Sequence, residues 1–216
     1  MCAGVTFAEL DEAVAGDRDA SVESLGATLG CGVQCGSCLP AIRETLGQVA
    51  WFAATAVARP ITKARDLEGQ ERLIFRVDIS LADGVGYPGA LPGQHVVLRA
   101  VTGQGVIERT YTVVSQDLAA GQLTLGIRRT PGGQLTPWLL DAAAGPRPLD
   151  VSVPGGSTLG SGGRRTDMFF AAGVGVTPAM AMVNALKPLA AMHLHYSATD
   201  ADDAAFLPEF AARRKD

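Results

Sequence analysis

The chain has 216 residues, enough for one large or two small domains, and 47% of them are hydrophobic. A formal net charge of −4 excludes the strongly basic surface that nucleic-acid binding requires, so we expect no nucleic-acid partner. The N-terminus has no basic segment ahead of an apolar stretch, and no apolar run reaches membrane-spanning length. We therefore expect a cytoplasmic protein without a membrane partner.

Short helices are predicted in the first 48 residues. Thr6 and Glu9 have the spacing of a capping box ahead of an apolar stripe. Ser21 is placed to cap a second helix, and Pro40 stands in the first turn of a third. The pattern predicts a small all-α module over residues 1–48.

All four cysteines of the chain belong to this module: Cys2, Cys31, Cys35 and Cys38. Such clustering is typical of a metal site more than of scattered disulfides in a reducing compartment. A Cys-x-x-Cys pair alone is compatible with a redox dithiol, half of a zinc site or half of an iron–sulfur site. The spacing therefore predicts metal or redox chemistry and leaves these alternatives open.

Two stretches of the module occur in a characteristic order, CAGVT at residues 2–6 and LGCGVQCGSCLP at residues 29–40. Together they resemble the bacterioferritin-associated-ferredoxin-like [2Fe-2S] domain over nearly all of residues 2–48. The resemblance implies a cluster held by a C-x-C pair and a C-x-x-C pair.

The resemblance implies that Cys2, Cys35 and Cys38 bind the cluster. Cys2 corresponds to the second cysteine of the C-x-C pair, so the first would lie immediately before Met1. The fourth ligand is then either a cysteine that precedes Met1 or Cys31. We favour the first alternative, because Cys31 occupies a variable loop position where a cysteine usually packs as a small apolar residue.

A linker at residues 49–56 is expected before the hydrophobic period changes to that of strands. In residues 73–79 apolar side chains alternate with Arg and Asp, which predicts a strand with one buried face. Further strands are predicted at residues 56–64, 95–101, 106–115, 122–129 and 149–153. This spacing favours an antiparallel six-stranded β-barrel over residues 57–160.

The fourth predicted strand contains the sequence Arg109-Thr110-Tyr111-Thr112. Alternation along a strand places Arg109 and Tyr111 on one face and the two threonines on the other, unless a bulge intervenes. A guanidinium suits phosphate, and a phenol ring suits a flat heterocycle. The strand is a candidate ligand site, and an ordinary half-buried strand is the alternative.

A helix is predicted after the fifth strand, in the sequence PGGQLTP at residues 131–137. We expect Thr136 as its N-cap and Pro137 as its first helical residue. The glycines ahead of them allow a close ligand approach, and free amides at a helix start favour anions.

These motifs, with PGQH at residues 92–95 and GIRR at residues 126–129, resemble the flavin domain of the ferredoxin–NADP reductase-like superfamily. The resemblance implies bound FAD. Arg109 would bind the pyrophosphate, Tyr111 would stack on the isoalloxazine and Thr112 would hydrogen-bond near flavin N5. Tyr111 and Thr112 are therefore our candidate catalytic residues. The remaining candidates for contacts with the cofactor are Thr110, Arg128, Gly133, Gln134, Leu135 and Thr136.

The last part of the chain, residues 161–216, predicts the beginning of an α/β nucleotide-binding domain. A strand at residues 168–172 is followed by GVGVTP at residues 173–178 and by a helix, with Thr177 as the expected N-cap. A glycine turn between a strand and a helix is the context that a pyrophosphate site requires. The turn resembles the AGGxGxTP turn of the same superfamily, which implies contacts with NAD(P)H from Gly173, Gly175, Thr177 and Pro178.

A second strand is predicted at residues 192–197. Thr199 and Asp202 follow it, where the superfamily often places an Arg for the extra phosphate of NADPH, so we favour NADH. Because two strands are fewer than such a domain needs, we expect a fragment of a longer polypeptide.

The predicted function is a multidomain electron-transfer oxidoreductase in which NAD(P)H reduces FAD and FAD reduces a [2Fe-2S] cluster. The domain order resembles the C-terminal region of some bacterial assimilatory nitrate reductases. This implies a downstream redox centre in the same longer chain or in a partner protein, with nitrate as the eventual acceptor. Nitrite or an oxygenase partner stays open as an alternative acceptor. The alternative is a cysteine-based metal-binding or redox-sensing interaction module joined to a barrel that has lost its cofactor.

Overall fold

The structure is a computed structural model, and it describes residues 4–33, 38–48, 50–63, 65, 69, 71, 73–83, 86–130, 132–141, 145–159, 166–185 and 192–213. Short helices come first, strands dominate the middle, and strands and helices alternate at the end. In chain order the elements are α1 (Phe7–Gly16), α2 (Val22–Leu29), α3 (Leu39–Thr45), β1 (Trp51–Pro60), β2 (Ile74–Leu81), β3 (His95–Thr102), β4 (Gly105–Asp117), β5 (Gln122–Arg128), α4 (Leu135–Leu139), β6 (Arg147–Ser152), β7 (Asp167–Ala172), α5 (Thr177–Ala185), β8 (Met192–Ser197) and α6 (Leu207–Arg213). None of the helices in this part of the chain is both long and apolar enough to cross a membrane.

Helices α1 to α3 pack around a small core of their own. The capping box predicted for α1 is confirmed, since Glu9 N donates to Thr6 Oγ1 over 3.2 Å and Thr6 N donates to Glu9 Oε2 over 2.7 Å. The cap predicted for α2 is also confirmed, because Ser21 Oγ accepts from Ser24 N over 3.0 Å. The buried residues of this core are Val5, Leu10, Leu25, Cys31, Cys38 and Ile42.

Strands β1 to β6 form the predicted antiparallel barrel, closed in the order β1-β2-β5-β4-β3-β6. Alternate side chains of each strand point inward, as the period of two requires. Helix α4 plugs the interior with Leu135 and Leu139, which belong to the same buried cluster. Fully buried inward-facing residues include Val77, Ile79, Val96, Leu98, Leu125 and Val151.

Strand β1 begins at Trp51, so most of the expected linker at residues 49–56 is strand. Residues 51–56 pair with β6, and β1 also pairs with β2. Phe52, Ala54 and Ala56 are buried while the residues between them are more exposed. The alternation is hidden in the sequence because outward-facing Trp51 and Ala53 are also apolar.

The α/β region consists of a two-stranded parallel sheet, β7 beside β8, with α5 and α6 on one face. This face shares a buried cluster with Ile74 and Val114 of the barrel. Asn184 Nδ2 also donates to the Val114 carbonyl over 3.0 Å. The α/β region is therefore packed directly against the outer surface of β2 and β4.

Candidate functional site

The site begins at a free edge of β4. Residues 105–112 pair with β3 in regular register, whereas β4 meets β5 only from Val113 onward. In the described part of the chain, residues 105–112 therefore have no strand partner on the β5 side. An unpaired edge presents N–H and C=O groups that can bind the polar rim of a flat ligand.

Arg109 and Tyr111 share one face of this free segment, as their cross-strand partners Leu98 and Val96 do. The only register shift of β4 against β5 falls after Val113, so the alternation predicted from the sequence holds here. Arg109 Nη1 donates to the Glu108 carbonyl over 2.7 Å, and it forms no ion pair with a carboxylate of the described residues. Its charge is available for an anionic ligand.

Tyr111 is half-buried against the barrel core. Burial raises the pKa of its phenol, and the nearby Arg109 charge opposes this effect. The ring is thus a neutral, partly exposed aromatic surface beside a cation. This pairing suits a ligand that joins a flat ring to a phosphate.

Thr112 and Thr110 face the other way, where Thr112 lies directly opposite His95 and Thr110 opposite Val97. Nε2 of His95 is buried and has no hydrogen-bond partner in the described structure. Desolvation lowers the His95 pKa, which favours the neutral imidazole. His95 belongs to the PGQH motif at residues 92–95, but the sequence predicts no role for it.

The start of α4 differs from the prediction. The N-cap position is Gln134, which makes no side-chain cap, and Leu135 is the first helical residue, so Thr136 and Pro137 both lie inside the first turn. Proline is tolerated there because amides of the first turn have no intrahelical acceptor. The Thr136 hydroxyl instead accepts a hydrogen bond from Thr130 N and donates one to the Thr130 carbonyl, each over 3.4 Å.

Gly133 is needed for this tight loop. A Cβ at Gly133 would stand 3.0 Å from Thr136 Oγ1 and 3.1 Å from the Thr130 carbonyl. Residues 133–136 therefore form a closely packed corner beside the barrel, and their contacts with a cofactor stay a prediction.

The glycine turn before α5 also differs from the prediction. Residues Gly173–Val176 form a 3-10 helix that continues into α5, so Thr177 is already helical, with φ −58° and ψ −41°. Its hydroxyl donates to the Val174 carbonyl over 3.1 Å instead of capping the helix. The 3-10 turn moves the N-cap position back to Ala172, and Pro178 is the second residue of α5. Gly173 has φ +51°, a left-handed conformation that favours glycine.

Arg128 connects the barrel to this turn. Its Nη2 lies 3.2 Å from the point where a Cβ on Gly173 would stand, and its Nε is buried without a partner in the described structure. The Tyr196 hydroxyl donates to the Gly173 carbonyl over 3.2 Å. Among the predicted cofactor contacts, Arg128 therefore belongs with Gly173 on the α/β side of the site.

Two residues of the joint, the contact between the barrel and the α/β region, were not predicted. A Cβ at Gly126 would stand 2.5 Å from Thr177 Cγ2 and 2.9 Å from the Phe206 ring. A glycine inside a strand often marks a place where another part of the chain approaches the backbone closely, so the sequence could have indicated a role for Gly126. Phe206 is buried with φ +61°, and no sequence pattern predicts this left-handed conformation for a phenylalanine.

Two of the predicted cluster ligands can be placed. Cys38 and Cys31 are both buried, and Cys38 Sγ accepts from Gly32 N over 3.1 Å. Cys31 is fully buried in the core of α1 to α3. Cys2 and Cys35 lie outside the described residues, and the groups that are described contain no set of three potential metal ligands.

One family of known proteins matches most of the barrel. Residues 61–158 match the family model of the oxidoreductase FAD-binding domain. The ferredoxin reductase component of 3-ketosteroid-9-alpha-monooxygenase from Mycolicibacterium smegmatis is 32% identical over 92 residues, which are 42% of this chain and 26% of that protein. The chain thus spans about a quarter of the length of this curated relative.

Solved structures share the fold. Flavohemoglobin from Malassezia yamatoensis, with bound FAD and heme, superposes with a TM-score of 0.66 over 97% of this chain and 58% of its own, at 19% identity. Phthalate dioxygenase reductase superposes with a TM-score of 0.58 over 74% of this chain and 48% of its own, at 20% identity.

Proposed function

We propose, from the oxidoreductase FAD-binding domain that residues 61–158 match, that this chain passes electrons from NAD(P)H through FAD to a [2Fe-2S] cluster. NADH is the favoured donor. FAD takes a hydride, which is two electrons and a proton, and can release the electrons one at a time to an acceptor such as the cluster. The chain would be part of a larger reductase such as an assimilatory nitrate reductase.

One observation carries the flavin part of the proposal. Arg109 and Tyr111 stand side by side on the free edge of β4, where the cation lacks a carboxylate partner in the described structure. Arg109 would hold the pyrophosphate, Tyr111 would stack on the isoalloxazine, and Thr112 on the opposite face would reach the region of flavin N5. Residues 133–136 would contact phosphate from the adjacent corner.

The nicotinamide part rests on the joint between the barrel and the α/β region. Arg128 brings a positive charge to Gly173 at the start of the glycine turn. This arrangement suits a second phosphorylated ligand next to the flavin, because a guanidinium binds phosphate in a fixed geometry. Gly173, Gly175, Thr177 and Pro178 would form the rest of the NAD(P)H contact.

The cluster part rests on the environment of Cys38. A backbone amide that donates to sulfur, as Gly32 N does to Cys38 Sγ, stabilises a thiolate ligand. Full burial of Cys31 among apolar side chains supports a packing role for this residue and a fourth ligand elsewhere. The comparison with phthalate dioxygenase reductase, described as transferring electrons from pyridine nucleotides to [2Fe-2S], supports the same sequence of carriers.

Reconstitution tests this function. We expect the purified protein, with all four cluster ligands present, to retain FAD with a flavin absorption spectrum and to contain iron and acid-labile sulfide in equal amounts. A chain that takes up no FAD contradicts the reductase function. Zinc without iron or sulfide favours the alternative, a cysteine-based interaction module.

A further inference from the structure

We infer that Arg99 is the centre of a polar latch that holds the helical module against the flavin-bearing rim of the barrel. This latch makes Arg99 and Glu44 positioning residues for electron transfer, a role that rests on the proposed function. The latch itself is defined by contacts within the chain alone.

The latch joins α3, β3 and β6 at one guanidinium. Arg99 Nη1 lies 3.1 Å from Glu44 Oε1 at the end of α3, and Arg99 Nη2 lies 3.1 Å from Asp150 Oδ2 on β6. The Arg99 Cζ stands 3.9 Å over the ring of Trp51, and Trp51 Nε1 donates to the same Glu44 carboxylate. A planar cation that binds two carboxylates and stacks on an indole has a fixed orientation.

The position of this latch fixes α3 and, with it, Cys38 at the other end of that helix. At the other end of α3, Gly32, Val33 and Leu39 form one wall of a cleft of about 190 Å³. The opposite wall belongs to the barrel, namely Gln94 and residues 154–157. Cys38, which directly precedes Leu39, is therefore held close to this barrel rim.

The barrel wall of the cleft is close to Thr112, which belongs to the proposed flavin contact on β4. His95 is paired with Thr112 on one side and with Gly155 on the other, through His95 N to Gly155 O at 3.0 Å and Gly155 N to His95 O at 2.9 Å. Because neighbouring strands lie about 4.8 Å apart, the backbones of Thr112 and Gly155 are separated by roughly 10 Å. The backbone of His95 thus connects the proposed flavin contact directly to the cleft beside Cys38.

Charge reversal at Glu44 tests the latch in the full chain without any cofactor. Glu44→Lys puts like charges side by side, so we expect backbone amides of residues 155–157 and Gly32 to exchange hydrogen for deuterium at least about tenfold faster. Glu44→Gln keeps an acceptor for Trp51 and Arg99 and should show a smaller effect. Glu12→Lys is the matched control, because it makes the same charge change at an exposed position of α1.

The same variants test the role in electron transfer after reconstitution. In Glu44→Lys we expect NADH to reduce the flavin at the rate of the unaltered protein, while the following reduction of the cluster slows at least about tenfold. Unchanged exchange at residues 155–157 overturns the latch. Faster exchange with an unchanged rate of cluster reduction overturns the positioning role. An unaltered protein that binds neither FAD nor iron contradicts the proposed function instead, and the exchange data still decide the latch.

Discussion

The barrel and the α/β region differ in how they bury their strands. Every barrel strand has a neighbour on both sides in the closed order, and most inward-facing side chains of the barrel belong to one buried cluster. The two-stranded sheet covers one face only, and on its other face Phe170 is 75% exposed and Met168 is 60% exposed. The barrel is therefore self-supporting, whereas the α/β region depends on contact with Ile74 and Val114 of the barrel.

This difference has a functional meaning. A closed barrel is a rigid support for residues 109–112 of β4, the proposed flavin contact, since strand pairing determines each side chain's direction. The glycine turn before α5 is positioned by contacts across the joint, at Gly126 and Arg128. Substitutions should therefore affect the whole molecule when they fall in the barrel core, and the α/β region alone when they fall at its contact with the barrel.

Leu125→Ala should have the largest effect, because it opens a cavity at a fully buried barrel position. We expect the free energy of unfolding to fall by about 2–5 kcal/mol in denaturant titrations. Leu118→Ala is the control, because Leu118 is 46% exposed and its truncation should change the free energy by less than about 0.5 kcal/mol. Equal losses in the two variants would contradict a self-supporting barrel.

Arg109→Ala should weaken FAD binding while the fold is retained. A lost charge-assisted hydrogen bond corresponds to about 1.5–3 kcal/mol, so we expect the FAD dissociation constant to rise about tenfold or more. Flavin fluorescence titration measures it, with Arg18→Ala on the helical module as the control. An unchanged dissociation constant would mean that β4 does not form the flavin pocket.

Gly126→Ala should loosen the joint and spare the barrel. The added methyl group would stand 2.5 Å from Thr177 Cγ2, and such overpacking costs about 1–3 kcal/mol. We expect faster hydrogen exchange in α5 and unchanged exchange in β2 and β5. Gly103→Ala is the matched control, since no atom lies within 4 Å of its added Cβ. Equal exchange in the two variants would refute the role given to Gly126.

Phe170→Ser should have the smallest effect on stability. The ring is exposed and stacks only on His195, with centroids 4.8 Å apart, among the described aromatic rings. We expect the free energy of unfolding of this chain to change by less than about 0.5 kcal/mol. A larger loss would show that this face is buried in solution.

Much of this protein could be read from local patterns. Alternation in residues 73–79 predicted β2, and the spacing of Thr6 and Glu9 predicted the α1 cap, because both depend on neighbours a few residues away. Arg109 and Tyr111 were likewise placed on one face by strand geometry alone. Uniformly apolar residues at the start of β1 concealed its period, so the strand was expected too late.

Only the tertiary structure decided the rest. The Thr136 and Thr177 hydroxyls bond to nearby backbone atoms instead of capping a helix, because surrounding turns set where each helix begins. The sequence determined that Arg128 carries a charge at the end of a strand, but packing across the joint brought it to Gly173. Local periodicity records which residues are buried, whereas contacts between distant elements depend on how complete faces fit together.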